Sequence, residues 1–224
     1  GHAVRPVLEL RSLARDRVWL LRGAFDRGAR LHDVLLGLHG AGAARHILDA
    51  AGLQNVAIEQ VPGQLTDHYD PRDKVLRLSQ AVYSTRSCAA VGIAAHEAGH
   101  AIQHKVGYAM MTVRQSLAPA TQIAAGVSNF VMIAGIFLLS TAIGGKLLMI
   151  GAVALAVICL FQFVTLPVEF DASFGKALPV LEGRRYLSEA DMPAARSVLK
   201  AAAYTYVAAA LSTLLNVARW FRIF

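Results

Sequence analysis

Two histidines and a glutamate stand together in His96-Glu97-Ala98-Gly99-His100. On a helix, positions four apart share one face. The two imidazoles can then grip one divalent ion at about 2.0–2.1 Å, the distance zinc favours. Glu97 is turned about 100° from His96, which sets its carboxylate beside such an ion without ligating it. Zinc lowers the pKa of a bound water toward about 7, and Glu97 is the group to take that proton and deliver it to a leaving amine. These residue types at this spacing point to metal-assisted hydrolysis. With 8 His in 224 residues, the pattern arises by chance in fewer than roughly one chain in a hundred of this make-up. Small residues (Ala94, Ala95, Ala98, Gly99 and Ala101) surround it and let a substrate or another helix come close.

A hydrolytic zinc needs a third protein ligand and an open position. His104 lies one turn beyond His100 on the same face. The longer pattern with a glycine and a third histidine is not met, because Gln103 and Val106 stand at those places. His104 therefore reads as a supporting or surface residue. The candidates left open are His68, Glu169, Asp171 and Glu182. Glu169 is the first charge after a long apolar run, and a carboxylate at a bilayer edge is costly unless paired or metal-bound.

The elements that must position these groups are legible nearby. Ala43, Ala44, Ile47, Leu48 and Ala51 keep helical spacing, and Gly52 is a stop signal. Val56, Ile58 and Val61 read as a strand closed by Pro62-Gly63. Leu65–Tyr69 and Lys74–Ser79 flank the turn-rich Asp70-Pro71-Arg72-Asp73, which predicts an antiparallel hairpin. Ser87 is placed to cap a helix over Cys88–Lys105 that carries the histidine pair.

Composition sets the larger frame. The apolar set is 55% of the chain and charged residues are 17%, against about 25% charged in soluble domains. The mean hydropathy of +0.46 excludes a disordered chain and argues for an integral membrane protein. No charged side chain occurs in the 31 residues between Arg114 and Lys146, the 22 between Lys146 and Glu169, or the 18 between Lys200 and Arg219. Each run can cross a hydrocarbon core of about 30 Å as a helix. Gly144-Gly145-Lys146 is the expected tight turn between the first two spans, and Trp220-Phe221-Arg222 resembles an interfacial anchor after the third. Two spans lie between His100 and Glu169, so the chain crosses and returns and both residues end on one side. The net charge of +7 fits basic flanks of membrane spans, and no nucleic-acid partner is expected. Residues 1–40 carry an arginine every few positions and offer no span and no signal-peptide core. They read as an atypical leader or an amphipathic surface helix. Pro179 and Pro193 are expected to break the polar stretch 170–200 into short pieces, and Cys88 and Cys159 read as packing residues.

Three stretches carry a resemblance: Gly63-Gln64-Leu65-Thr66-Asp67-His68-Tyr69-Asp70-Pro71, Ala94 through His104, and Leu166-Pro167-Val168-Glu169-Phe170-Asp171-Ala172-Ser173. Over about residues 41–224 the chain resembles the YugP-type neutral zinc metallopeptidases of bacterial membranes, which are similar to the gluzincins in using two histidines and a distant glutamate. The resemblance implies Zn2+ as cofactor, His96, His100 and Glu169 as its ligands, and Glu97 as the general base. Related membrane gluzincins carry an aspartate four residues after that glutamate. Here the position is Ser173, and Asp171 lies on another helix face. The family's four spans become three, since residues 1–40 supply none. The hairpin around His68 is the candidate substrate edge, because related proteases bind peptide as an added strand. Tyr69, Tyr83, Tyr108 and Arg114 are candidates, with His68, to steady a tetrahedral oxyanion.

The expected fold is a mainly α membrane protein with a small α+β gluzincin-like zinc-peptidase portion, a short antiparallel sheet plus the histidine-bearing helix. Along the chain it divides into the Arg-rich segment 1–40, an α+β portion 41–115, a two-span hairpin 116–168, a third-ligand helix and polar segment 169–200, and a last span 201–224. Lys105, Arg114, Lys176, Arg184, Arg185, Arg196 and Lys200 fall on the catalytic side, and Lys146, Arg219 and Arg222 opposite. That asymmetry favours a cytoplasmic site in the bacterial cytoplasmic membrane. The expected activity is hydrolysis of peptides or membrane proteins, with Asp171, His68 and His104 as candidates to bind substrate or support the ligands. The competing readings are a non-catalytic zinc-binding scaffold or assembly factor, and an intramembrane metalloprotease.

Overall fold

The computed structural model describes residues 38–183 and 187–221. The expectations for residues 1–37, for Arg184 and Arg185, and for the Trp220-Phe221-Arg222 anchor lie outside the residues and side chains described. The chain forms two compact units. The first holds the described residues up to Tyr108 together with Val168–Thr205, and the second holds Ala109–Pro167 with the described residues from Tyr206 onward.

The first unit opens with α1 (Gly40–Ala50), which buries Ala41, Ala43, Ala44, Ile47 and Leu48. It ends as its sequence predicts. Gly52 takes φ 69°, and Leu53 N–H reaches back to the Leu48 carbonyl at 2.8 Å, a left-handed cap open to glycine at no steric cost. Three strands follow: β1 (Ala57–Val61), β2 (His68–Asp70) and β3 (Val75–Ser79). β2 and β3 pair antiparallel, as the hairpin pattern predicts, with Tyr69 opposite Leu76. The sheet as a whole is not antiparallel. Its order is β1-β3-β2, and β1 runs parallel to β3. The reason lies in β3, where Val75, Leu76, Leu78 and Ser79 are all buried. A strand with that much to hide takes the central place.

Arg77 is the one half-buried residue of β3. Its guanidinium donates to Asp70 and to Asp73, each at 2.6 Å, and to Glu59 on β1 at 3.4 Å. One side chain thus ties all three strands and the β2–β3 turn. The short helix α2 (Gln80–Tyr83) leads to α3 (Cys88–Lys105). Ser87 Oγ accepts the Ala90 N–H at 3.1 Å, which is the expected cap. Nearly every side chain from Cys88 to Ala101 is buried. Alanines and glycines make that possible, because they let neighbouring backbones close in on all sides.

In the second unit, α4 (Ala109–Phe137) and α5 (Ala142–Phe170) are joined by Leu138–Thr141. The turn therefore comes before Gly144-Gly145-Lys146, which fall in the first turns of α5. Thr141 decides the position: its hydroxyl accepts the Gly144 N–H at 3.2 Å and starts the helix there.

α5 continues without a break into a π-helical stretch, Asp171–Ala177, and then α6 (Leu178–Gly183). Pro179 does not interrupt this run, contrary to the sequence expectation. It follows directly on the π stretch, where Leu178 N–H bonds five residues back to Ser173 O and the ordinary ladder has already given way. Pro193 likewise sits in the first turn of α7 (Met192–Phe221), where its missing N–H has no helical partner to lose. Among the described residues, three helices are long and apolar enough to cross a membrane: Ala109–Phe137, Ala142–Gly183 and Met192–Asn216. Cys88 and Cys159 are free and buried.

Candidate metal centre

The site forms where α3 meets the end of α5 and the π stretch, all within the first unit. The close approach has a local cause at Gly99. A Cβ built there would stand 2.6 Å from the Ala172 carbonyl oxygen, so only glycine lets the two backbones touch. His96 and His100 project from α3 into this contact, with ring centroids 4.8 Å apart and planes crossed at 79°. Glu169 meets them from the last turn of α5. Its Oε2 lies 3.1 Å from His96 Nε2 and 3.6 Å from His100 Nε2. One ligand atom from each of the three residues falls within 4.8 Å of the others, and all three residues are buried.

The partners behind these groups fix which atoms face inward. Gln103 is fully buried and its amide nitrogen donates to the Val168 carbonyl and to Asp171 Oδ2, both at 2.8 Å. Its carbonyl oxygen therefore faces His100 Nδ1, at 3.0 Å. An amide oxygen only accepts, so this contact is a hydrogen bond when His100 carries a proton on Nδ1. His96 Nδ1 lies 2.9 Å from Ser173 Oγ, which leaves its Nε2 turned toward Glu169. Two imidazole nitrogens and one carboxylate oxygen are a known donor set for a hydrolytic zinc. A buried carboxylate beside two imidazoles also calls for positive charge. On donor chemistry and burial the residues fit the ion.

Glu97 stands on the neighbouring face of α3, mostly buried, and its Oε2 accepts the Tyr69 N–H of β2 at 3.1 Å. The same tyrosine reaches across with its hydroxyl, 2.8 Å from His104 Nδ1. β2 is thus pinned to α3 at two points by one residue. Asp67, just before β2, accepts from the N–H and hydroxyl of Ser79. Burial pushes the Asp67 carboxyl up, more than the Ser79 N–H pulls it down, and the negative charge of Glu97 acts in the same direction as burial.

The structure separates the sequence candidates. His96, His100 and Glu169 come together. Asp171 is not in the cluster; it takes the Gln103 amide and, on Oδ1, the Lys176 ammonium at 3.2 Å. Glu182 pairs with Arg196. His68 is exposed, with Nδ1 2.7 Å from the Thr66 carbonyl. His104 Nδ1 faces the Tyr69 hydroxyl and not the cluster. Tyr83 stacks with His39, and Arg114 lies over the Tyr206 ring in the second unit. The roles of Gln103, Ser173 and the Tyr69 N–H were not read from the sequence, although Gln103 lies three residues after His100 and Ser173 four after Glu169, both on the ligand-bearing faces.

Comparison with known proteins gives the family. Residues 17–224 match the model of a family described as "Putative neutral zinc metallopeptidase". The chain belongs to this family. It is also similar to "Putative membrane protease YugP" of Bacillus subtilis (strain 168), 40% identical over 188 residues, which are 84% of this chain and 81% of that one. No solved structure matches significantly. The family's name implies zinc, and the buried His96, His100 and Glu169 are the group in this member, among the described residues, that could hold it.

Proposed function

We propose that the chain is a membrane-bound zinc metallopeptidase of gluzincin type, with His96, His100 and Glu169 holding the ion and Glu97 serving as general base. The observation that carries this reading is the meeting of Glu169 with the two histidines across more than sixty residues of chain, beside a glutamate held by a backbone N–H. Zinc bound there supplies a Lewis acid and a more acidic water. Glu97 Oε2 is held by Tyr69, so its Oε1 takes the proton of the attacking water and returns it to the leaving amine. Tyr69 and the β2–β3 hairpin form the edge along which an extended peptide would lie. The substrates are peptides or membrane proteins, and the site faces the cytoplasm.

A scaffold that kept zinc for structure would need no more of Glu97 than its hydrogen bond from the Tyr69 N–H, which leaves Oε1 without a task. An intramembrane protease would carry its histidines on a span, whereas α3 is not among the three apolar helices. The test is Glu97→Gln. Zinc content is expected to match the unaltered protein, while peptide hydrolysis in detergent falls by about 10²–10⁴-fold. Undiminished hydrolysis by the zinc-loaded variant would overturn the base assignment. Absence of chelator-sensitive hydrolysis in the unaltered protein would favour the scaffold.

A further inference from the structure

Gln103 makes three hydrogen bonds from a fully buried position, and they join the two chain segments that build the site. Its nitrogen meets the Val168 carbonyl and Asp171 Oδ2, and its oxygen meets His100 Nδ1. The arrangement has only one consistent polarity. The Val168 carbonyl cannot donate, and the Asp171 carboxylate, whose other oxygen takes the Lys176 ammonium, accepts as well. Turning the amide over would set three acceptors against one another at about 3 Å, a cost of several kcal/mol in a dry interior. It would also demand that His100 accept at Nδ1, which moves the ring proton to Nε2 and blocks the lone pair facing Glu169.

We propose that Gln103 is a positioning residue that locks His100 in the tautomer with its proton on Nδ1, the direction of its amide being set by Asp171 and the Val168 carbonyl. The inference deepens the metal reading and rests on His100 being a ligand. In zinc sites a carboxylate often bonds a ligand histidine directly. Here the carboxylate acts one residue removed, through an amide. One of its three partners, Asp171, belongs to the π stretch, and a second, the Val168 carbonyl, to the end of α5. Lys176, Asp171, Gln103 and His100 thus form one chain of contacts from the π stretch to the site.

The experiment uses the full chain in detergent with 15N-labelled histidine, and has two arms. With Zn2+ bound, so that the Glu169 carboxylate does not compete for a proton on Nε2, nitrogen–proton correlations report the His100 Nδ1–H, assigned by loss of its signal in His100→Ala. The expected result is one slowly exchanging Nδ1–H, which exchanges faster in Gln103→Leu. In the second arm, zinc affinity is read by chelator competition. Gln103→Leu is expected to weaken it by about 10–100-fold, the usual effect of losing a partner behind a ligand. Gln103→Glu alone should be weaker still, with a carboxylate facing Asp171. Joining it to Asp171→Asn gives the new carboxylate a donor in place of one of the two acceptors it faces, the Val168 carbonyl being the other, and should recover part of the loss. A residue that only fills space would leave both readouts unchanged in Gln103→Leu. An Nδ1–H that exchanges as fast in the unaltered protein as in Gln103→Leu overturns the proposal. Should His100→Ala bind zinc as tightly as the unaltered chain, the ligand reading fails, and that outcome is separate from the tautomer result.

Discussion

At the scale of single residues, Glu169 carries the most weight, because it is the ligand that local spacing does not supply. Its partners His96 and His100 come from one helix turn, whereas Glu169 returns from the far end of α5. Glu169→Ala is expected to lower zinc affinity by more than about 100-fold, since even partners behind a ligand are worth about 10–100-fold. Metal analysis against a chelator series checks it, and unchanged occupancy would send the search to Asp171, Glu182 or His68. The histidine pair was legible from four-residue spacing, whereas Glu169 was one of four candidates, favoured by the cost of a carboxylate at the edge of an apolar run and named as ligand by the family resemblance. Ser173 and Gln103 were legible only as departures from a pattern. Their value depends on hydrogen bonds to rings on another element, and a one-dimensional sequence does not say which faces will meet. Ser173 shows this well. The sequence marks it only as a departure from an expected acid, and the structure has its hydroxyl 2.9 Å from His96 Nδ1.

At the scale of elements, the site depends on how closely α3 meets the π stretch and on where β2 is held. Gly→Ala inside an exposed helix gains about 0.5–1 kcal/mol. At Gly99 the sign reverses, because the new Cβ would stand 2.6 Å from backbone that cannot swing aside. Gly99→Ala is expected to cost about 1–3 kcal/mol of stability and to lower zinc occupancy with it, read by thermal unfolding and metal content on one preparation. β2 is held through Arg77. Partial burial pulls the Asp70 carboxyl up, but the hydrogen bond from Arg77 and the N–H groups of Arg72 and Asp73 outweigh it and hold it below its usual 3.8. A carboxyl depressed in the folded state adds stability above its unfolded value and loses it as pH falls through the folded one. Arg77→Ala should therefore lower the thermal midpoint at neutral pH, and the gap from the unaltered protein should close as pH drops below 3.8. A gap that persists in acid would mean that Arg77 acts by packing its stem. The β2–β3 hairpin was legible from its turn residues. The parallel partner β1 was not, because its place follows from β3 being buried on both sides, a property of the assembled sheet.

At the scale of the whole molecule, three apolar helices and a polar unit raise the question of sidedness. The 29 residues of α4 and of α5, at about 1.5 Å each, exceed the roughly 30 Å of a hydrocarbon core. A chain that enters along α4 and returns along α5 puts Leu138–Thr141 on one side of the bilayer and the residues before α4 on the other. Lys and Arg are retained on the cytoplasmic side, and Lys105, Arg114, Lys176, Arg196 and Lys200 outnumber Lys146 and Arg219. Single exposed cysteines test this, against a background in which Cys88 and Cys159 are buried. In right-side-out vesicles, Ser140→Cys is expected to react with a membrane-impermeant thiol reagent, and Gln60→Cys to react only after the vesicles are opened. The reverse pattern would keep the two-span hairpin and turn the site outward, making its substrates extracytoplasmic. Labelling of both from one side would remove the crossing itself, and the return of Glu169 to the histidines would then need a different path from the one the apolar runs describe.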